Sequence, residues 1–162
     1  MAEAGWPVLE VPALGLAVGV PHGWQWSETD EYPLQLLGPP GTGYRPSVCF
    51  SLASFDPPTP QGARQWMRAA VDERAAGYPY FRELRRGTLE VGGRPAAASH
   101  HRWRPSAVGA EVDQLLVAVL DRPGSLVQID AAALSDRGDP LAPARRIVTT
   151  VELDRPAEAG AG

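Results

Sequence analysis

The sequence predicts an α+β domain in which a mainly antiparallel β-sheet is flanked by amphipathic helices. Three features carry this reading: an alternating apolar run at Arg45–Phe55, two hairpin signatures in succession between Arg82 and Ala131, and two segments with helical apolar spacing. With 162 residues the chain has the usual size of one domain, roughly 100 to 200 residues. Its 44% hydrophobic and 21% charged residues keep it out of the low-hydrophobicity, high-charge regime of disordered chains. A single core is expected over residues 1–155, followed by a frayed, disordered tail at 156–162.

The elements follow in chain order. Val8–Pro21 is rich in branched aliphatics and broken by Pro12 and Gly15, which predicts two short antiparallel strands joined by a turn. A polar, aromatic stretch from His22 to Tyr32 precedes a short strand at Leu34–Leu37 and a rigid turn through Pro39, Pro40, Gly41 and Gly43. In Arg45–Phe55, Val48, Phe50 and Leu52 share one face while Ser47, Cys49, Ser51 and Ala53 share the other, the pattern of a half-buried strand. Asp56-Pro57-Pro58 ends it, and Thr59-Pro60 supplies a helix cap with a first-turn proline. Ala63, Trp66, Met67, Ala70 and Val71 then form an apolar helical stripe that ends near Gly77. Gly92-Gly93 turns Arg82–Val91 into Ala96–Trp103, because both glycines take positive φ at little cost. A second hairpin joins Glu111–Leu120 to Ser125–Ala131 across Asp121–Gly124. Asp139-Pro140 starts a closing helix whose Leu141, Ala144, Val148 and Val151 line one side.

Composition excludes several function classes. A net charge of −4 argues against a nucleic-acid partner, since phosphate binding needs a basic stripe. All 15 basic residues are arginine, with no lysine or asparagine, a bias read as codon usage of a GC-rich genome. The N-terminal segment has no positive start and no apolar run before a cleavage site, and no stretch reaches the roughly 18 apolar residues of a membrane span. A cytoplasmic protein without membrane insertion is expected, in agreement with the single Cys49.

The residue combinations that carry chemistry are weak here. His100 and His101 are adjacent in a strand and point to opposite faces, so they cannot share one metal ion, and no metal site or cofactor is expected. His22 stands at a strand end beside Gly23-Trp24, in a turn position. Cys49 lies between Val48 and Phe50 with no basic neighbour to lower its pKa. Gly38–Gly43 lacks the lysine of a phosphate loop, and its prolines remove the amides that would cradle phosphate. Glu28, Asp30 and Glu31 are loop carboxylates in an acidic protein. No catalytic residue is assigned, and the chain is expected not to be an enzyme.

Gly15-Leu16-Ala17-Val18 leading to Val20-Pro21-His22-Gly23-Trp24 resembles the opening strand, ending in P-x-G-W, of the Mog1/PsbP-like superfamily. Leu89-Glu90-Val91-Gly92-Gly93-Arg94-Pro95-Ala96 is similar to its mid-chain V-x-G-x-P/A-A hairpin, and Ile147–Val151 to its apolar terminal helix. The resemblance spans Val8–Leu153 and is nearest to the bacterial branch containing DcrB, the LpqN-type proteins and the Eag chaperones of type VI secretion. It implies an antiparallel sheet flanked by helices, and members that work as adaptors, assembly factors or chaperones without catalytic residues. DcrB and LpqN-type members are exported lipoproteins; the absence of a leader and lipobox cysteine favours the cytosolic members.

The partner-binding expectation falls on two regions. Trp24 and Trp26 form an aromatic loop of the kind that dominates interfaces, or else plug the end of the core. Leu115–Leu120 is apolar on both faces, so it is either sandwiched or leaves an open groove lined by Leu116 and Ala118, with Trp103 and Gln128 beside it. Such a groove would suit a hydrophobic helix of a client or secretion component, as the resemblance to the Eag chaperones implies. The leading expectation is a non-catalytic adaptor or chaperone-like protein; the alternative is a binding domain for a small hydrophobic ligand or lipid. An unpaired sheet edge makes a homodimer a further expectation.

Overall fold

In the computed structural model, which describes residues 5–41, 43–54, 62–122, 124–136 and 138–154, the doubly apolar run Leu115–Leu120 lies in the interior of a seven-stranded sheet. The elements are β1 Val8–Val11, a 3-10 turn Pro12–Leu14, β2 Leu16–Gly19, β3 Gln25–Ser27, β4 Leu34–Leu37, β5 Ser47–Ser54, α1 Gly62–Gly77, β6 Arg82–Val91, β7 Arg94–Trp103, β8 Val112–Arg122, β9 Ser125–Leu134, α2 Ala142–Thr149 and β10 Glu152–Leu153. The large sheet has the order β3-β4-β5-β9-β8-β7-β6, with every neighbouring pair antiparallel. β1, β2 and β10 form a second, smaller antiparallel sheet. The architecture is α+β, as the sequence predicts.

Each face of β8 has its own cover. Leu115, Val117 and Val119 belong to the larger apolar cluster, which they share with Leu16 and Val18 of β2, Phe50 of β5, Ile129 of β9 and Ile147 and Val148 of α2. Leu116 and Ala118 point the other way, into a cluster with Ala97, Leu126 and the α1 residues Ala63, Met67 and Val71. Both Leu116 and Ala118 are 0% exposed. This corrects the expectation of an open groove at these two positions: the α1 stripe predicted from Ala63, Met67 and Val71 seats on them, so neither has surface to offer a partner. Ala97 and Ala118 are small enough to let the helix approach the sheet closely.

The turns behave as their residues dictate. Gly92 and Gly93 have φ of 57° and 79°, the paired left-handed geometry of a tight hairpin. Gly19 lies so close to α2 that an added Cβ would meet Thr150 Oγ1 at 3.1 Å, and its amide donates to that hydroxyl at 2.9 Å, which ties the small sheet to the end of the helix.

Three expectations need adjustment. α2 begins at Ala142 rather than at Pro140: Leu141 takes the cap position, Pro143 falls in the first turn, and the Asp139 carboxylate bonds Arg145 instead of a backbone amide. The polar stretch after Trp24 contains strand β3, paired with β4. β5 is buried on both faces at Val48, Cys49 and Phe50 and opens toward its end, at Leu52, which is 45% exposed, and at Ser54. The expectations for Asp56–Pro60, Pro123 and the tail at 156–162 lie outside the described residues.

Because Leu116 sits wholly between the sheet and α1, truncation to Ala should cost about 2 to 5 kcal/mol. Urea unfolding of Leu116→Ala is expected to show a lower midpoint with the same slope; an unchanged midpoint would mean that α1 does not pack there.

Candidate functional site

The side of the sheet that carries α1 changes character along the strands. Residues 126, 128 and 130 of β9 share this face, as do 114, 116 and 118 of β8 and 97, 99, 101 and 103 of β7, by strand alternation and the observed register. Near the start of α1 these positions are apolar: Ala97, Leu116, Ala118 and Leu126. Near its C-terminal end they are Ser99, His101, Trp103, Gln114, Gln128 and Asp130. The helix responds at the same level. Arg74, which continues the stripe of Met67 and Val71, is only 12% exposed at its side chain and reaches down into this polar floor.

Arg74 organises the site. Its Nη2 donates to Asp130 Oδ2 at 2.6 Å and its Nη1 to His101 Nε2 at 3.0 Å. Accepting at Nε2 places the ring proton of His101 on Nδ1, 3.5 Å from Ser99 Oγ. The Ser99 hydroxyl in turn donates to Glu83 Oε2 at 2.6 Å, which Arg86 also contacts at 2.8 Å. A polar chain thus runs from β9 through α1 to β7 and the edge strand β6. Gln114 Oε1, 3.3 Å from the same His101 nitrogen, accepts the Trp103 indole N–H at 2.8 Å.

Aromatic rings cap this network. Tyr78, just past α1, stacks on Trp103 with centroids 3.9 Å apart, and Phe81 lies 5.1 Å from the His101 ring. Beside them a groove of about 500 Å³ opens between α1 and β9, lined by Trp66, Ala70, Glu73, Arg74, Tyr78 and Gln128.

The titratable groups here are shifted from their ordinary values by burial and by Arg74. Burial, reinforced by the Arg74 charge, lowers His101 to about 4, so the imidazole is neutral near pH 7. Burial raises the Cys49 thiol to about 11, with the Asp130 carboxylate adding to the effect. Asp130 itself is raised by burial against the opposing pull of Arg74, and its Oδ1 is buried without a hydrogen-bond partner. On the opposite face His100 contacts Asp113 at 2.8 Å, so the two adjacent histidines do lie on opposite sides of the sheet. Arg102 and Ser135 also bond Asp113, and together these partners outweigh its burial and hold it down to about 2. Among the described residues no group of three or more His, Cys, Asp or Glu side chains could hold a metal ion, and no helix is long and apolar enough to cross a membrane.

Of the six residues that the sequence singles out, the structure brings Trp103 and Gln128 to this site. Leu116 and Ala118 lie beneath α1. Trp24 and Trp26 stand elsewhere, at the β3 end of the sheet: Trp24 packs on the larger core, whereas Trp26 is 53% exposed and helps line a separate shallow groove with Gln25 and Leu37. Sequence reasoning missed Arg74, His101 and Asp130 as a unit. The available signal was Arg74 itself, a charge on the apolar stripe of a helix, which demands a buried partner.

No protein-family model and no curated protein matches the sequence. Solved structures do. The chain superposes on LpqN, involved in cell envelope biogenesis of Mycobacterium tuberculosis, with a TM-score of 0.68 at 15% identity, covering 96% of this chain and 89% of that one. It superposes on the cyanobacterial PsbP (CyanoP) of Synechocystis sp. PCC 6803 with a TM-score of 0.63 at 14% identity, covering 93% and 94%. The fold is Mog1/PsbP-like. A Pseudomonas aeruginosa protein of unknown function, PA94, described as a putative regulator, shares it with a TM-score of 0.62 at 15% identity, covering 93% of this chain and 98% of that one. In this Mog1/PsbP-like frame the α1–β9 groove is built from the chain's own Trp66, Tyr78 and Gln128.

The neutral His101 makes stability depend on pH. Its folded pKa lies below the unfolded value of 6.5, so the unfolded state binds the proton first as pH falls. Stability is therefore expected to decline between pH 6.5 and about 4, by about 1.4 kcal/mol per pH unit for this one group. Asp130, raised by burial, works in the opposite sense. Comparing chemical denaturation of the natural chain and His101→Gln at pH 7 and pH 5 isolates the imidazole: the variant should lose less stability across the interval. Equal losses would show that His101 takes up its proton in the folded state.

Proposed function

We propose that this chain is a non-catalytic adaptor or chaperone-like protein that seats a segment of a protein partner in the groove between α1 and β9. The observation that carries the reading is the pairing of partly exposed Trp66 and Tyr78 with a floor in which Arg74 holds Asp130 and His101 and Gln114 holds Trp103. Aromatic side chains held rigidly at a concave surface are what protein interfaces use as anchors. The same groups suit acid–base or nucleophilic chemistry poorly, since the His101 imidazole and the Cys49 thiol are displaced away from neutral pH in the unreactive direction. Neighbours of the same fold described by cell envelope biogenesis and by a regulatory role are compatible with such work.

Ala70 lines the groove from α1 without belonging to the fully buried core, so Ala70→Arg fills the groove while leaving Met67 and Val71 in place. Affinity capture of the tagged chain from its native lysate should recover a stoichiometric protein that is lost with Ala70→Arg, at an unchanged thermal midpoint. Recovery of the same protein by both forms would move the contact elsewhere. A small apolar molecule seen by native mass spectrometry, displaced by Ala70→Arg, would support ligand binding in its stead.

A further inference from the structure

The opposite flank of α1 carries a second feature, independent of the groove. β6 is a ten-residue strand at the end of the large sheet, exposed from Arg82 to Thr88, with one row of its backbone N–H and C=O groups unpaired. Grooves flank it on both faces. On the α1 side a groove of about 320 Å³ is lined by Arg64, Met67 and Arg68 of the helix and by Arg86 and Thr88 of the strand. On the α2 side a groove of about 610 Å³ is lined by Arg85, Leu89, His100 and Arg145, among others. Gly87 lies between the two with open space where a Cβ would stand.

This is the geometry that an added strand requires. Successive side chains of a strand point to opposite faces, so a segment paired with β6 would drop them alternately into the two grooves. Both grooves hold more arginine than carboxylate, although Arg86, which lines both, is bonded to Glu83. Arg64, Arg68 and Arg85 have no carboxylate partner among the described residues, and Asp139 in the second groove is bonded to Arg145. In a chain of net charge −4 this edge is a local reversal of sign.

We propose that β6 accepts an extended acidic segment of a partner protein as an eighth strand of the sheet, with its carboxylates in the arginine-lined grooves. A second copy fits less well: β6 also carries Glu83 and Glu90, but Glu83 is already held by Arg86 and Ser99, so arginines outnumber the carboxylates that two copies would offer each other. Nucleic acid lacks the backbone donors and acceptors that continue a ladder.

The test is fluorescence anisotropy of the full chain with a labelled ten-residue peptide in which pairs of adjacent glutamates alternate with pairs of threonines, so that carboxylates fall on both faces of the added strand. Saturable binding is expected, weakening as salt rises. Arg64→Glu/Arg68→Glu should weaken it at least tenfold with an unchanged circular dichroism spectrum, whereas Ala70→Arg should leave it unaltered, which separates this edge from the α1–β9 groove. A peptide of the same composition with alternate D residues, whose side chains all fall on one face, should also bind at least tenfold more weakly. Equal binding of the two peptides, equal competition by an oligothymidylate of the same charge, no binding of the glutamate peptide at low salt, or a dimer in sedimentation that Leu84→Lys dissociates would overturn the proposal.

Discussion

The constraint on which the structure depends is the two-sided burial of β8. A strand that carries Leu115, Val117 and Val119 on one face and Leu116 and Ala118 on the other cannot lie at the surface of a two-layer fold, so a cover is needed above and below it. On one side the cover is α2 with the small β1-β2-β10 sheet; on the other, among the described residues, it is chiefly α1. A single sixteen-residue helix lies over β7 and β8 and leaves β9 at its margin. The polarity of β9 follows that limit. Its α1-facing positions pass from Leu126, fully buried, to Gln128 and Asp130 where the helix no longer provides an apolar lid. The groove is thus the margin of the helix, floored by the side chains that tolerate water.

The Arg74–Asp130 pair shows what such a margin demands. Two charges withdrawn from water gain little net stability, but removing one partner would leave the other unpaired at a cost of about 3 to 5 kcal/mol. Here the pair acts through position more than through strength. It fixes which turn of α1 stands over β9, because Arg74 reaches Asp130 and His101 only in the register that also sets Met67 and Val71 on Leu116 and Ala118. Asp113 does the corresponding work on the far face, where Arg102, His100 and Ser135 converge on one carboxylate and tie β7 and β8 to the residue after β9.

The signals that were legible in the sequence were local ones. Gly92-Gly93 fixed a turn, the stripe of Ala63, Met67 and Val71 fixed the buried side of α1, and the alternation of β7 placed His100 and His101 on opposite faces. Less legible was whatever depends on the partner of an element. The alternation at Val48–Leu52 reads as half-buried because sequence cannot show that Cys49 faces Asp130 across the β5–β9 ladder. Leu116 and Ala118 read equally well as groove or as core until α1 is placed. Trp103 and Gln128 were legible as neighbours of that face because they follow from period-two geometry, whereas the union of Arg74, His101 and Asp130 joins three elements far apart in the chain.

The two edges of the large sheet carry the argument one step further. β3 is three residues long and is clipped by Arg45, which bonds both Gln25 and the Gly38 carbonyl, so it offers little ladder to a newcomer. β6 is long, regular except for a bulge near Leu84, and protected by charge instead of length. Protection by charge is selective in a way that shortness is not. A short edge excludes every strand, whereas an arginine-rich edge disfavours strands of like charge and favours a segment of opposite sign. Arginine serves this role well because its planar guanidinium binds a carboxylate in two-point contact. The codon bias that fills this sequence with arginine therefore does not make every arginine equivalent: those at Arg102 and Arg74 are consumed by Asp113 and Asp130 inside the fold, and those at Arg64, Arg68 and Arg85 face outward from an edge that the sheet leaves unfinished.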